Sequence, residues 1–417
     1  MCLRPQMVGL LVLLGAISAT SLGYAAPQAA SAAPAAAPSS PATTTPALAA
    51  RLAPPAGANA TEIEAFKQVE RLGDDRFATR EQATQTLIKM GAVAHNALLA
   101  GSRHVDREVR YRCERILILA RQAELENRIK EFLNDAGSGQ SYDFPAWDIF
   151  QKRYGDSRES RTTFADMQRA EPDLLAKLAS GQRSGSETLN NRCLEIQQQM
   201  QAHSQELGVG TVTAMLFVAI ETGAETQQQT SAMVYNLCYQ GAFRNSINGG
   251  ANRDVLKRLL GQWIRRGRDF QAYQGIMLSL QYELKEGIEP AREMINNPNM
   301  QSQMKQYAVL AVAKLGDRSH RGILEALLSD DKSCGIRQLN NVNINTQMRD
   351  VALAALVHMT SQDYKAYGFD HINLNAVYLF DPLSTGFEST QKRDQALEKW
   401  RAFRAREQEQ AGAPKNG

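Results

Sequence analysis

The sequence predicts an all-α chain: an α-solenoid of stacked helical hairpins, preceded by a disordered N-terminal tether and closed by a capping C-terminal helix. Three observations predict it. A two-helix pattern occurs twice, as R-E-Q-A-T-Q-T-L-I-K-M-G-A-V-A-H-N-A-L-L around Gly91 and K-Q-Y-A-V-L-A-V-A-K-L-G-D-R-S-H-R-G-I-L around Gly316. Setting Gly91 on Gly316, an offset of 225 residues, puts Arg80 on Lys305, Ala83 on Ala308, Leu87 on Val312, Lys89 on Lys314 and His95 on His320. Second, Met304, Tyr307, Ala308, Ala311, Val312 and Leu315 form an unbroken helical stripe, and Met348, Val351, Ala352, Ala355, Leu356 and Met359 repeat it. Third, eight of the 14 prolines fall in the first 60 residues, leaving six for the other 357. Proline breaks helix interiors, so this distribution favours helix. One such hairpin cannot bury its own stripe, which is why repeats of this kind stack.

The elements run in order along the chain. Residues 1–25 read as a signal peptide, with Arg4 ahead of the apolar run Val8 to Ile17 and small residues at Gly23 and Ala25. Residues 26–60 are Ala, Pro, Ser and Thr with Arg51 the only charge, a composition that predicts a disordered linker. Residues 61–135 carry the first repeats. Thr61 with Glu64 three residues on reads as a capping box, and Gly91 as a left-handed cap. Gly137-Ser138-Gly139 breaks the chain. Residues 140–269 form an irregular helical middle. Phe144, Trp147, Phe150 and Tyr154 crowd there as core or as a plug between domains, with Pro145 in a first helical turn. The repeats resume over 270–362. The segment 333–346 is an insertion within them, since Met348 sits on Val109 at an offset of 239, 14 more than before. Its alternation predicts a β-hairpin arm or an irregular loop. Residues 363–410 hold an aromatic segment, an extended stretch Asn373 to Phe380, and a capping helix with Ala396, Leu397, Trp400 and Phe403 on one face.

Charge and composition exclude several classes. Residues 1–60 hold two of the 47 basic residues and no acid, so 45 basic face 44 acidic residues beyond them. A general nucleic-acid binder needs a basic surplus, and none is visible. The best internal apolar run, Val212 to Ile220, is about half a membrane span. Cys113, Cys193, Cys238 and Cys334 are scattered and make no zinc pattern, and Cys113 reads as a buried free thiol. Their disulfide status is open.

No residue qualifies as catalytic, cofactor-binding or metal-binding. His95 with His320, and Lys89 with Lys314, recur at equivalent places, which predicts a geometric role such as a turn hydrogen bond. His203 and Glu206 share a helical face without a third ligand. His358 and His371 flank Tyr364 to Phe369 with no nucleophile elbow beside them. Gly208-Val209-Gly210 lacks the strand and lysine of a phosphate loop. The run Arg110 to Arg115 reads as ion pairs on a solvated helical face.

The pieces L-G-D-D-R-F-A-T-R-E-Q-A (Leu72 to Ala83), D-R-E-V-R-Y-R-C-E-R-I-L (Asp106 to Leu117), Tyr307 to Asp317, Met348 to Thr360 and R-D-Q-A-L-E-K-W (Arg393 to Trp400) resemble HEAT-like repeat modules of exported planctomycete-type bacterial proteins. That family is largely uncharacterised, so the resemblance implies a HEAT-like α-solenoid and transfers no site residue. The expected function is an exported, non-catalytic scaffold that binds another protein in the periplasm, cell envelope or outside the cell. No nucleic acid, cofactor or membrane span is expected after signal removal. Two alternatives stand beside it: a hydrolase with its site in the middle region or near His358 and His371, and a structural cell-envelope protein.

Overall fold

The computed structural model describes residues 52–135, 142–202, 206–223, 226–339 and 342–412. The chain there is mostly helical, with two small antiparallel hairpins. The signal peptide, most of the tether, the Gly137–Gly139 break and His203 lie outside the described residues. Among the described residues no helix is long and apolar enough to cross a membrane.

The N-terminal unit comprises α1 (Ala60–Arg71), α2 (Phe77–Met90), α3 (His95–Gly101) and the first half of α4 (Arg107–Asn134). The tether ends earlier than its composition implies. Leu52 packs against this unit's core and its amide donates to Glu70 Oε1 at 2.6 Å. The cap of α1 is Asn59, not Thr61. Its side chain accepts from the Thr61 and Glu62 amides while Glu62 reaches back to the Asn59 amide. Val69, Leu87, Leu98, Val109 and Cys113 are fully buried between the four helices. Gly101 lets α3 approach α4, because a Cβ there would collide with Cys113 Sγ and Val69. A recurrent cation closes each turn. Arg80 Nη1 donates to the carbonyls of Asp74 and Asp75, and Arg110 Nη1 donates to those of His104 and Val105. Both reach back six and five residues to orphaned turn acceptors.

The middle departs from stacked hairpins. It contains α5 (Trp147–Tyr154), α6 (Arg158–Ala170), α7 (Pro172–Ser180), α8 (Gln182–Ala202), α9 (Val209–Thr222), α10 (Gln228–Leu237), α11 (Gly241–Gly249) and α12 (Arg253–Arg266). Helix α9 is buried on all sides and touches α6, α7, α8, α10, α11 and α12. A helix apolar all round belongs at such a centre, and Val212 to Ile220 supplies one. Gly210 permits the closest crossing, since a Cβ would strike the Asp166 carbonyl of α6. The aromatic cluster is core. Trp147, Phe150 and Tyr154 join Phe132 and Phe164 in one aromatic cluster, and Arg161 beside it is fully buried. Its guanidinium lies 4.7 Å from the Phe132 ring and 5.8 Å from Trp147, donates to the Phe132 carbonyl at 2.6 Å and pairs with Asp156. Full pairing is what makes a buried charge tolerable. Pro145 stands before the N-cap, Ala146, and outside the helical turn assigned to it.

The C-terminal unit comprises α13 (Asp269–Tyr282), α14 (Ile288–Asn296), α15 (Ser302–Leu315), α16 (Arg321–Glu325), α17 (Met348–Met359) and α18 (Thr390–Gly412). Helix α13 packs on α14 and α15, α15 on α17, and α16 on α17. The stripes of α15 and α17 are wider than their periodicity implies, because Ala308 to Ala313 and Val351 to Val357 are all buried. The insertion is a β-hairpin, β1 (Ser333–Leu339) and β2 (Val342–Gln347), pairing Ser333 with Gln347 and Ile336 with Asn345. Asn373 to Phe380 is a second, tight hairpin, not one extended stretch: β3 (Leu374–Asn375) returns as β4 (Leu379–Phe380). Ser389 caps α18 by accepting from the Lys392 amide. Ala396, Leu397 and Trp400 of α18 are buried against the stack. Arg393 anchors it, with Nε 2.7 Å from Asp350 Oδ1 and Nη2 3.1 Å from Oδ2, both residues buried.

Candidate protein-interaction surface

Helix α4 belongs to two cores. Val109, Cys113, Ile116 and Leu117 pack in the N-terminal unit, and Ile129 and Phe132 pack in the middle bundle. Between them the helix is largely bare. Ile118 is 56% exposed and Leu119 41%. Across from Leu119, α2 ends at Gly91, whose φ of 56° no β-branched residue would adopt readily. The 3₁₀ turn Gly91–Ala94 then redirects the chain into α3. The result is a concavity of about 850 Å³. Ile88, Leu98, Leu119 and Ala123 contribute its apolar lining, while Arg121 and Glu124 add charge. The volume lies within the usual range for occupied sites. The shape, an apolar trough beside an exposed helix, suits an amphipathic helix laid lengthwise.

The recurrent histidines and lysines do not share a role. His320 Nδ1 lies 3.0 Å from Asp317 Oδ1 and closes a capping box. His95 is exposed at the trough and makes no such bond. Lys314 donates to the carbonyls of Leu280, Ala376 and Val377 and pairs with Glu283 at 3.2 Å, whereas Lys89 is exposed. The two glycines differ as well. Gly316 is extended, and a Cβ there would strike the Val312 carbonyl. Only the cation matched to Arg80 keeps its function, since Lys305 Nζ donates to the Ile295 carbonyl ending α14.

The remaining candidates resolve into structural contacts. His358 Nδ1 lies 3.2 Å from Tyr364 Oη, and desolvation holds its pKa below the ordinary value. His371 Nε2 lies 2.9 Å from Glu388 Oε1, whose pKa is lowered first by Lys392 and then by His371. No hydrogen bond or ion pair joins the two histidines. Glu206 accepts from the Ala242 amide at 2.6 Å and so caps α11. The Arg110 to Arg115 run is only partly a solvated face. Arg112 does pair with Glu108 four residues back, but it is largely covered and also reaches Glu81 of α2 at 2.7 Å. Cys113, Cys193, Cys238 and Cys334 are free and buried. Burial pushes the Cys113, Cys193 and Cys334 thiols up to about 12 and Cys238 upward as well, so none is a poised nucleophile. Among the described residues no three His, Cys, Asp or Glu side chains could hold a metal. A second cleft of about 540 Å³ sets Arg265, Arg268 and Lys285 against Glu286, Glu289 and Glu293, a balance that selects no ligand charge.

The sequence did not flag the trough. Its lining comes from three helices that are separated in the chain. Comparison of the chain with known proteins finds no matching family model, no similar curated protein and no similar solved structure.

Proposed function

We propose that this chain is an exported, HEAT-like solenoid scaffold that binds another protein through its helical surface, without catalysis. The observation that carries this reading is the trough between α2, α3 and the bare stretch of α4. Exposed Ile88 and Leu119 line the place where another hairpin would stack in a longer array. Burying one such aliphatic side chain contributes at most about 1.5–3 kcal/mol, and a partner helix covering both gains useful affinity. The export signal read in residues 1–25 points to an envelope or extracellular partner.

The test compares the wild-type chain with Leu119→Glu as bait in native envelope extract. Circular dichroism checks that the variant keeps its helicity. The reading expects a reproducible protein captured by the wild type and lost with the variant. It fails if both baits recover the same proteins, or if neither recovers any.

A further inference from the structure

Apart from His95, four ionisable residues line the trough: Arg121, Glu124, Arg128 and Glu131, all on α4. All four are exposed. At about 3.6 residues per turn they share one strip of the helix, within about 80° of each other. Their spacings of three and four residues are those at which neighbours along a helix pair. Among the described residues none of them pairs with an opposite charge. Arg128 instead donates to the Asp143 carbonyl at 2.7 Å and lies over the Phe144 ring. Glu126, on the opposite side of α4, is already taken by Arg169 at 2.8 Å. The strip is a palindrome of opposite signs. Arg121 and Glu131 stand five residues either side of Glu126, and Glu124 and Arg128 stand two residues either side. A two-fold axis crossing α4 there sets Arg121 against Glu131 of a second copy, and Glu124 against Arg128, each twice.

We infer that the trough is filled by a second copy of this chain, whose α4 lies antiparallel to the first. The inference rests on the trough being a protein-binding surface and names its occupant. A two-fold interface uses one patch twice, so the patch must complement itself. This one does so only in the antiparallel sense. Parallel α4 helices set Arg121 on Arg121 and Glu124 on Glu124, which repel. Ala120 and Ala123 in the lining take little room, and Ile88 and Leu119 supply apolar contact. Exposed ion pairs contribute little each and are screened by salt, so the dimer is weak and dissociates on dilution. In native extract, the protein captured by a tagged bait is then the untagged chain itself.

The experiment measures self-association of the full chain by sedimentation equilibrium, with circular dichroism checking the fold of each variant. The wild type should dimerise reversibly, and less as salt rises. Arg121→Glu and Glu131→Arg should each weaken dimerisation by at least about tenfold, because each sets like charges face to face twice. Mixed together, the two variants should form a heterodimer as tight as the wild-type dimer, since every facing pair is again opposite. Ion pairs formed along one helix cannot produce that rescue. The inference is overturned if the wild type stays monomeric up to about 1 mM, if either variant dimerises as the wild type does, or if mixing restores nothing. A monomeric wild type that still captures a different protein, lost with Leu119→Glu, overturns the second copy and leaves the trough's role standing.

Discussion

The two ends of the molecule are built from the same hairpin pattern and finish differently. In the C-terminal unit the apolar faces of α15 and α17 are covered, by α13, by the β1–β2 hairpin and by α18. In the N-terminal unit α2, α3 and α4 share one small core, and the trough beside them is open. Ile88 and Leu119 face water there, while Leu353 and Leu356 at the other end are fully buried. A hairpin's stripe therefore specifies only that it be covered. Whether the chain itself or a partner does so depends on the residues C-terminal to the hairpin. Beyond Met359 come an aromatic segment and a capping helix. Beyond Leu117 the helix runs on as a charged, solvated rod into a different core.

Paired substitutions sharpen the contrast most. Leu356→Ala should destabilise the chain by about 2–5 kcal/mol, because the vacated space is walled on all sides. Leu119→Ala should stay within about 0.5 kcal/mol, since no cavity forms. Chemical denaturation reads both. Comparable losses at the two positions would show that the trough is already filled in the isolated chain.

A smaller, pH-dependent effect should appear at the covered end. Glu407 of α18 joins Arg321 of α16 at 2.5 Å and Arg404 at 2.7 Å. Burial opposes its ionisation, but the arginine hydrogen bonds outweigh that and hold its carboxyl below the ordinary glutamate value of 4.5. Its contribution is thus complete above that value and is lost as pH falls through the lower folded value. Glu407→Gln should lower stability by under about 1 kcal/mol near neutrality. The difference from wild type should shrink steadily as the pH falls below 4.5 in a melting series. A difference that persisted in acid would mean that Glu407 acts through packing and not through charge.

Much of this architecture is legible in the residues alone. The limits of α17 fall where Met348 to Met359 place them, because an amphipathic stripe bounded by polar residues leaves little choice. The alternation in 333–346 fits a β-hairpin arm or an irregular loop, and the hairpin is what forms. Three features stay hidden for physical reasons. Val212 to Ile220 has no polar face to give it a period, so nothing marks it as the centre of a bundle. Gly210 and Gly316 look like turn glycines and are instead points of close approach. Glu283 takes the left-handed position that ends α13, a role that residue type alone would assign to glycine. The candidate surface is the least legible part. It assembles from residues far apart in the chain, and exposure, which defines it, is not written in residue type.

Native-state hydrogen exchange read by mass spectrometry tests most directly whether coverage separates the two ends. The amides of α15 and α17 should exchange only through global unfolding, while α2, α3 and residues 118–128 of α4 should open earlier and gain protection when the trough is filled. Equal protection of both ends in the isolated chain, or slower exchange at the N-terminal end, would contradict it.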